Sequence, residues 1–312
     1  MFRRLLVTAS SMLVILSAAA CGSSGDSAGG DKPEVAIVTA YYGSPAPKRA
    51  LDLYKKKAEK AGWKVTLQDS SFDFNKQNSL MQDAITRGVD LIVFGFGDPA
   101  QIANGLKSAT EAGIPVVGID AGAKATAGIA WNGTSDNPKL GEDTAKELAD
   151  KLGNKGSIVI ATYTPHAGVR ARTKAAVNYF KNETDIKVIG TKEVNDGTNS
   201  TAEVRAYVRD IITSKGKDGL DGVWTGFDAA GLGAVQGLDD AGVDVPVTSV
   251  DGEDFAIKAV KDPASPWFAV NAQDWDAIST GAVAASKTLL DGGKPDNDLE
   301  YFPGDLLVAD GK

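Results

Sequence analysis

Apolar runs of strand length alternate with amphipathic stretches of helix length from residue 35 onward. The first group of predicted elements consists of strands at 35–40, 63–68, 91–94 and 116–119 and helices at 44–60, 75–87 and 99–111. Proline near the start of the first helix and glycine after its end support these bounds. An alternating β-α order predicts a parallel sheet with right-handed crossovers and helices on both faces.

The same alternation restarts after Pro138 and predicts a second, similar unit. Its elements are helix 139–152, strand 157–161, helix 170–181, strand 187–191, helix 202–215, strand 222–225, helix 229–241 and strand 247–250. A tail adds strand 267–270, helix 278–290 and an extended piece at 306–308. The predicted fold class is therefore α/β, with two similar doubly wound parallel-sheet lobes.

An internal repeat supports the two lobes. Residues 112–122 read A-G-I-P-V-V-G-I-D-A-G, and residues 241–253 read A-G-V-D-V-P-V-T-S-V-D-G-E. Each copy places an aspartate, Asp120 or Asp251, at the end of a buried strand. The spacing of 251 minus 120, or 131 residues, is the length of a whole domain. Because ligands in open parallel sheets bind beyond the carboxyl ends of the strands, the two aspartates predict opposite walls of a cleft.

The N-terminus has the pattern of an export signal. Arg3 and Arg4 precede an apolar run and the small residues 17–20, so we expect a signal peptide over residues 1–20. Cys21, the only cysteine, resembles the bacterial lipoprotein processing site, although Ala18 stands where that motif usually has leucine. The interpretation is a lipidated Cys21 with a flexible tether over 21–33, anchoring the protein outside the cytoplasm. A plain signal peptide with a chance cysteine is the alternative.

Composition sets limits on the partners. The 312 residues are 43% hydrophobic and 24% charged, which is ordinary for a globular chain with two cores. The formal net charge is −8, and no basic stripe offsets it, so nucleic acid is not an expected partner. We expect a monomer that needs no cofactor.

The leader, the duplicated lobe and the two V-G-I-D-A-G and T-S-V-D-G-E segments resemble the ribose-type substrate-binding proteins of bacterial ABC importers, which have the type I periplasmic binding protein fold. The resemblance implies a hinge at which the chain crosses between the lobes three times. The S-D-N segment at residues 135–137 resembles the first of these crossings. It implies lobe 1 over 34–134 plus 274–298 and lobe 2 over 137–271 plus 300–312. It further implies a sugar held between the lobes and delivered to the transmembrane subunits of an ABC permease.

The same resemblance implies four polar ligand-binding residues, namely Asp120, Arg170, Asp251 and Gln273. Loops at the strand ends add the candidates Tyr41, Tyr42, Ser44, Phe96, His166, Phe227 and Asp228. An alternative for the two repeated aspartates is that each only caps the turn that follows its strand. For each aromatic candidate, the alternative to a ligand contact is packing in the hydrophobic core.

Several positions depart from the ribose-type pattern. Ala46-Pro47 stands where the family has a phenylalanine pair, and Ala121 stands where the family has an arginine. Gly95 and Phe227 each stand where the family has an asparagine. The aromatic residue of the second lobe is lost near Asn199-Ser200. Ribose itself is therefore not the expected ligand. We expect another small neutral sugar or polyol, with an amino acid or a signalling molecule as the alternative.

Other functions find weaker support. Residues 95–100 (G-F-G-D-P-A) fit a dinucleotide-binding fingerprint, but they follow the third strand rather than the first, and Pro99 removes an N–H that a phosphate would need. Hydrolysis and metal binding are disfavoured because His166 is the only histidine. We therefore expect no catalytic or metal-binding residues. A sensory protein that docks on a membrane receptor is the remaining alternative to a transport protein.

Overall fold

The computed structural model describes residues 32–310, which form two α/β lobes. The strands are β1 (Glu34–Thr39), β2 (Lys64–Asp69), β3 (Leu91–Gly97), β4 (Val116–Ala121), β5 (Trp131–Ser135), β6 (Lys155–Thr162), β7 (Asp185–Glu193), β8 (Gly222–Thr225), β9 (Val247–Asp251), β10 (Trp267–Gln273), β11 (Leu299–Phe302) and β12 (Gly304–Val308). The helices are α1 (Pro45–Lys60), α2 (Phe74–Arg87), α3 (Ala103–Glu111), α4 (Asn137–Lys151), α5 (Ala167–Glu183), α6 (Ser200–Lys215), α7 (Asp228–Ala241), α8 (Asp254–Lys261) and α9 (Trp275–Leu290).

Each lobe is built on one six-stranded sheet. The strand orders are β11-β5-β4-β3-β1-β2 in lobe 1 and β12-β10-β9-β8-β6-β7 in lobe 2. All pairs are parallel except β10 with β12. Inner strands such as β3 and β4 are buried along their whole length because helices cover both faces, which explains their continuous apolar sequences. The predicted fold class is confirmed.

The chain passes between the lobes at Asp136, Asp274 and Pro303. Asp136 joins β5 to α4, Asp274 joins β10 to α9, and Pro303 joins β11 to β12. Asp136 and Asp274 also cap the helices that follow, because their carboxylates accept the backbone N–H groups of Lys139 at 3.2 Å and Ala277 at 2.9 Å. Two of the crossings are therefore held by helix caps.

Three elements differ from the sequence prediction. Strand β5, helix α8 and strand β11 were not predicted as regular structure. Because β11 pairs in parallel with β5, the third crossing lies at Pro303 and residues 300–302 belong to lobe 1, which corrects their assignment to lobe 2. The predicted signal peptide, Cys21 and most of the tether lie outside the described residues. Within residues 32–310, no helix is long and apolar enough to cross a membrane.

Candidate ligand-binding cleft

The carboxyl ends of β3, β4 and β9 carry unusual backbone conformations. Phe96, Asp120 and Asp251 have φ values of 63°, 49° and 135°. Non-glycine residues seldom adopt such angles, and those that do cluster at functional sites. Gly252, which follows Asp251, has φ 80°, and a Cβ there would lie 2.3 Å from Ala272 Cβ. The two repeated aspartates are thus held at strained strand ends that face the space between the lobes.

A small cavity with a volume of about 60 Å³ lies between these strand ends. Residues of both lobes line it. The aromatic lining residues are Tyr41, Phe72, Phe96, Tyr163, Phe227 and Trp275, and the polar ones are Ser44, Asp120, His166, Arg172, Asp251 and Glu253.

The aromatic rings contact one another across the cleft. Tyr41 of lobe 1 lies 6.3 Å from Tyr163 of lobe 2 between ring centroids, and Phe72 lies 6.2 Å from the same ring. Phe96 packs on Trp275 at 5.3 Å. These rings provide apolar faces on which the C–H faces of a sugar or polyol can pack.

Arg172 is the buried cation of the site, and its side chain is only 2% exposed. Its Nε donates to Asn137 Oδ1 at 2.6 Å, and its Nη1 donates to Asp251 Oδ1 at 2.8 Å and to Gly226 O at 3.0 Å. Its Nη2 donates to Gln273 Oε1. These bonds use four of the five N–H donors of a guanidinium, so at most one remains for a ligand.

A chain of hydrogen bonds links this arginine to Asp120 through the first crossing. Asn137 Nδ2 donates to Thr134 Oγ1 at 3.2 Å, and that hydroxyl donates to Asp120 Oδ1 at 2.5 Å. At the second crossing, Gln273 Nε2 donates to Ser135 Oγ at 3.1 Å. We call this set of side chains, Asp120, Thr134, Ser135, Asn137, Arg172, Asp251 and Gln273, the hinge network.

Four buried polar atoms of the cavity lining have no hydrogen-bond partner among the described residues: the acceptors Asp120 Oδ2 and Glu253 Oε1, the donor Trp275 Nε1, and the Tyr41 hydroxyl, which can donate and accept. His166 Nε2 lies 3.7 Å from Asp120 Oδ2, which is beyond hydrogen-bond distance. His166 Nδ1 accepts the N–H of Val169 at 3.3 Å, so the proton of the neutral ring is on Nε2. Buried polar groups in proteins are nearly always paired, so these atoms indicate a ligand that both donates and accepts.

Burial shifts the ionisation of several groups. It lowers the pKa of His166 to about 4, against the attraction of Asp120, so the ring is neutral at pH 7. Burial raises the pKa of Asp251 to about 6, although Arg172 opposes this shift. Burial and the charge of Asp251 raise the pKa of Glu253 to about 7. The cavity is thus an environment in which an uncompensated charge is costly.

The structure brings most of the predicted site residues to the cavity. Tyr41, Ser44, Phe96, Asp120, His166, Phe227 and Asp251 line it. Gln273 and Asp228 lie behind this lining. Gln273 belongs to the hinge network, while Asp228 accepts from Ser249 Oγ at 2.5 Å and from the backbone N–H of Glu253 at 2.7 Å.

Two predicted residues, Tyr42 and Arg170, lie outside the cavity lining. The Tyr42 hydroxyl donates to Asp52 at 2.7 Å, and the ring packs under Lys48, so Tyr42 faces away from the cavity. Arg170 is nearly half exposed and pairs with Asp98 at 2.5 Å across the mouth of the cleft. Arg172 is two residues, or about 200°, further around α5, and therefore points to the opposite side.

Among the aromatic and charged lining residues, sequence reasoning missed five: Phe72, Tyr163, Arg172, Glu253 and Trp275. A signal existed for two of them. Tyr163 directly follows β6, at the end of a strand where ligands bind. Arg172 shares the buried stripe of α5 with Val169, Ala176 and Phe180, which identifies it as an inward-facing charge.

The lobes also touch at the mouth of the cleft. Besides the Asp98–Arg170 pair, Arg49 Nη1 of α1 donates to Gly252 O at 3.1 Å, and Gln101 Nε2 donates to Pro165 O at 3.3 Å. The cleft is therefore closed over the cavity.

Gly95, part of the dinucleotide fingerprint considered above, has a packing role, because a Cβ there would lie 2.6 Å from Leu51 Cδ2.

Two α/β lobes, three crossings and a closed polar-aromatic cavity define a two-lobed solute-binding protein. A family model described as the periplasmic binding protein domain matches residues 35–294. This chain belongs to that family, among the sugar-binding proteins of ABC importers. The family implies an extracytoplasmic location and a permease partner, and the chain is a binding protein rather than an enzyme.

Individual relatives agree with this assignment. The ribose import binding protein of Bacillus subtilis (strain 168) is 30% identical over 241 residues, covering 77% of this chain and 76% of the relative. The xylitol-binding protein of Mycolicibacterium smegmatis is 27% identical, covering 92% and 80%. A solute-binding protein structure from Agrobacterium vitis with bound allitol has a TM-score of 0.82 and 27% identity, covering 89% of this chain and 96% of that one.

Proposed function

We propose that this protein captures a small, hydroxyl-rich sugar or polyol between its lobes and delivers it to the permease of an ABC importer, as a lipoprotein anchored through Cys21. The observation that carries the ligand class is the set of unpaired buried atoms on an aromatic lining. Two acceptors, one donor and the Tyr41 hydroxyl require ligand groups that both donate and accept, and ligand hydroxyls do both. The relatives that bind ribose, xylitol and allitol support the same class.

The amino acid alternative loses support. It requires a cation for the ligand carboxylate and a separate anion for the ammonium. Among residues 32–310, Arg172 is the only Arg or Lys in the cavity lining, and it is already bonded to Asp251 and to three neutral groups. An α-carboxylate would therefore compete with Asp251 for the guanidinium.

The ligand class is tested by mass spectrometry of compounds that copurify, followed by a thermal-shift screen of sugars, polyols and amino acids. A ligand at 100 times its Kd stabilises the folded protein by about 2.7 kcal/mol. The stabilising hits should be sugars or polyols, and Asp120→Asn should weaken them about tenfold or more. Asp83→Asn, which removes an exposed carboxylate from α2, is the matched control. Hits confined to amino acids would contradict the proposal.

The anchor is tested separately by Cys21→Ser. The variant should be released from the membrane fraction, whereas the wild type should remain there and incorporate labelled fatty acid. If neither protein carries lipid and both fractionate alike, the anchor is wrong, but the ligand proposal is unaffected.

A further inference from the structure

Glu253 is the most unusual side chain of the cavity. It occupies the N-cap position of α8, two residues beyond Asp251, but its side chain makes no capping hydrogen bond, and it is only 8% exposed. Its Oε1 has no hydrogen-bond partner among the described residues. A buried carboxyl is normally paired or hydrogen-bonded, so an unpaired one at a cavity wall points to a partner supplied by the ligand.

The charges of the lining do not balance. Three carboxyl groups, those of Asp120, Asp251 and Glu253, face one guanidinium. Arg172 is bonded to Asp251, and His166 is neutral at pH 7. Neither Asp120 nor Glu253 forms an ion pair with a lysine or arginine of residues 32–310, so each leaves an acceptor oxygen without a cation.

The aromatic rings of the lining are compatible with a cation, because a ring face attracts positive charge.

We propose that Glu253 is a specificity-determining residue that, with Asp120, makes the cleft prefer a sugar or polyol bearing a basic nitrogen over its neutral counterpart. This inference rests on the proposed function for the hydroxyl-rich class. It replaces the neutral ligand expected from the sequence with a singly cationic one.

The preference depends on pH. Burial, the charge of Asp251 and, to a smaller extent, Asp254 raise the pKa of Glu253 to about 7, while Arg49 at the cleft mouth opposes the shift. Buried Asp228 lies behind Glu253 and accepts its backbone N–H. Below pH 7 Glu253 holds a proton and attracts a cation weakly, and above pH 7 it is ionised. The preference for the amine should therefore grow as pH rises.

The test uses matched probes that differ in one group and whose amines stay mainly protonated up to pH 8: glycerol and 2-amino-1,3-propanediol, and D-glucitol and 1-amino-1-deoxy-D-glucitol. Calorimetry at pH 6 and pH 8 should show that the amine of at least one pair binds about tenfold more tightly than its neutral partner at pH 8, because charge-assisted hydrogen bonds are roughly twice as strong as neutral ones. The ratio should be smaller at pH 6.

Two variants assign the effect. Glu253→Gln keeps the shape but removes the charge, so the amine-to-neutral ratio should fall toward one and lose its pH dependence. Asp83→Asn, which removes an exposed carboxylate from α2, is the control and should leave the ratio as in the wild type.

Equal or tighter binding of the neutral members, or an unchanged ratio in Glu253→Gln, would overturn the proposal while leaving the sugar-binding function intact. If no member of any pair binds and only amino acids stabilise the protein, the proposed function itself fails, and the role of Glu253 fails with it.

Discussion

Replacing Arg172 by methionine should strongly destabilise the protein, whereas the same change at Arg170 should not. Arg172 is 2% exposed and bonds to four groups, while Arg170 is about half exposed and bonds at the cleft mouth. Methionine fills a similar volume but leaves the Asp251 carboxylate and three neutral acceptors without their donors. Removing one partner of a buried ion pair costs about 3–5 kcal/mol.

The expected magnitudes are well separated. At about 2–4 °C per kcal/mol, Arg172→Met should lower the Tm of the ligand-free protein by roughly 6–20 °C at pH 8. An exposed pair such as Asp98–Arg170 contributes about 0–1 kcal/mol, so Arg170→Met should change the Tm by no more than about 4 °C. Far-UV circular dichroism measures both melting curves.

A double variant tests the reason for the loss. Asp251→Asn in the Arg172→Met background removes the unpaired buried charge, so the double variant should be more stable than Arg172→Met alone. Equal losses for the two arginine variants, or no recovery in the double variant, would refute the assignment of Arg172 as the buried partner of Asp251.

Two further predictions concern Glu253 and closure. Because the pKa of Glu253 is raised in the folded protein, its contribution favours folding at low pH and is lost as pH rises from about 4.5 through 7. Glu253→Gln should therefore raise the Tm of the ligand-free protein at pH 8 and have little effect at pH 4.5. An equal shift in Tm at both pH values would contradict this prediction. A ligand that binds between the lobes shifts the population toward the closed form. Small-angle scattering should therefore show a smaller radius of gyration with saturating ligand, accompanied by a change in Trp275 fluorescence. Identical scattering profiles with and without ligand would indicate a cleft that is closed without ligand.

The sequence was most informative where a pattern is repeated. The two lobes and the strand ends at Asp120 and Asp251 followed from a duplicated apolar run that stops at an aspartate. Strand β5 was missed because W-N-G-T-S mixes polar residues and a glycine, although tertiary packing buries all five. Strand β11 was missed because it is an exposed edge strand whose pairing with β5 is fixed only in three dimensions.

The choice between Arg170 and Arg172 shows a different limit. Resemblance placed an arginine at the start of α5, but two arginines occur there on opposite faces. The buried stripe of Val169, Ala176 and Phe180 could have separated them. Phe72 had no such signal, because it reaches the cavity from a loop with φ 65°, three residues beyond the end of β2, and neither strand nor helix periodicity extends to it.

The hinge network has a consequence for changing the ligand preference of this protein. Thr134, Ser135 and Asn137 do not line the cavity, yet they join the two acidic walls through the crossings about which the lobes would move. Since apparent affinity equals intrinsic affinity scaled by the fraction of closed molecules, a substitution at these positions alters ligand uptake without touching the ligand. Substitutions at these three positions can therefore tune the opening equilibrium while the side chains that line the cavity stay unchanged.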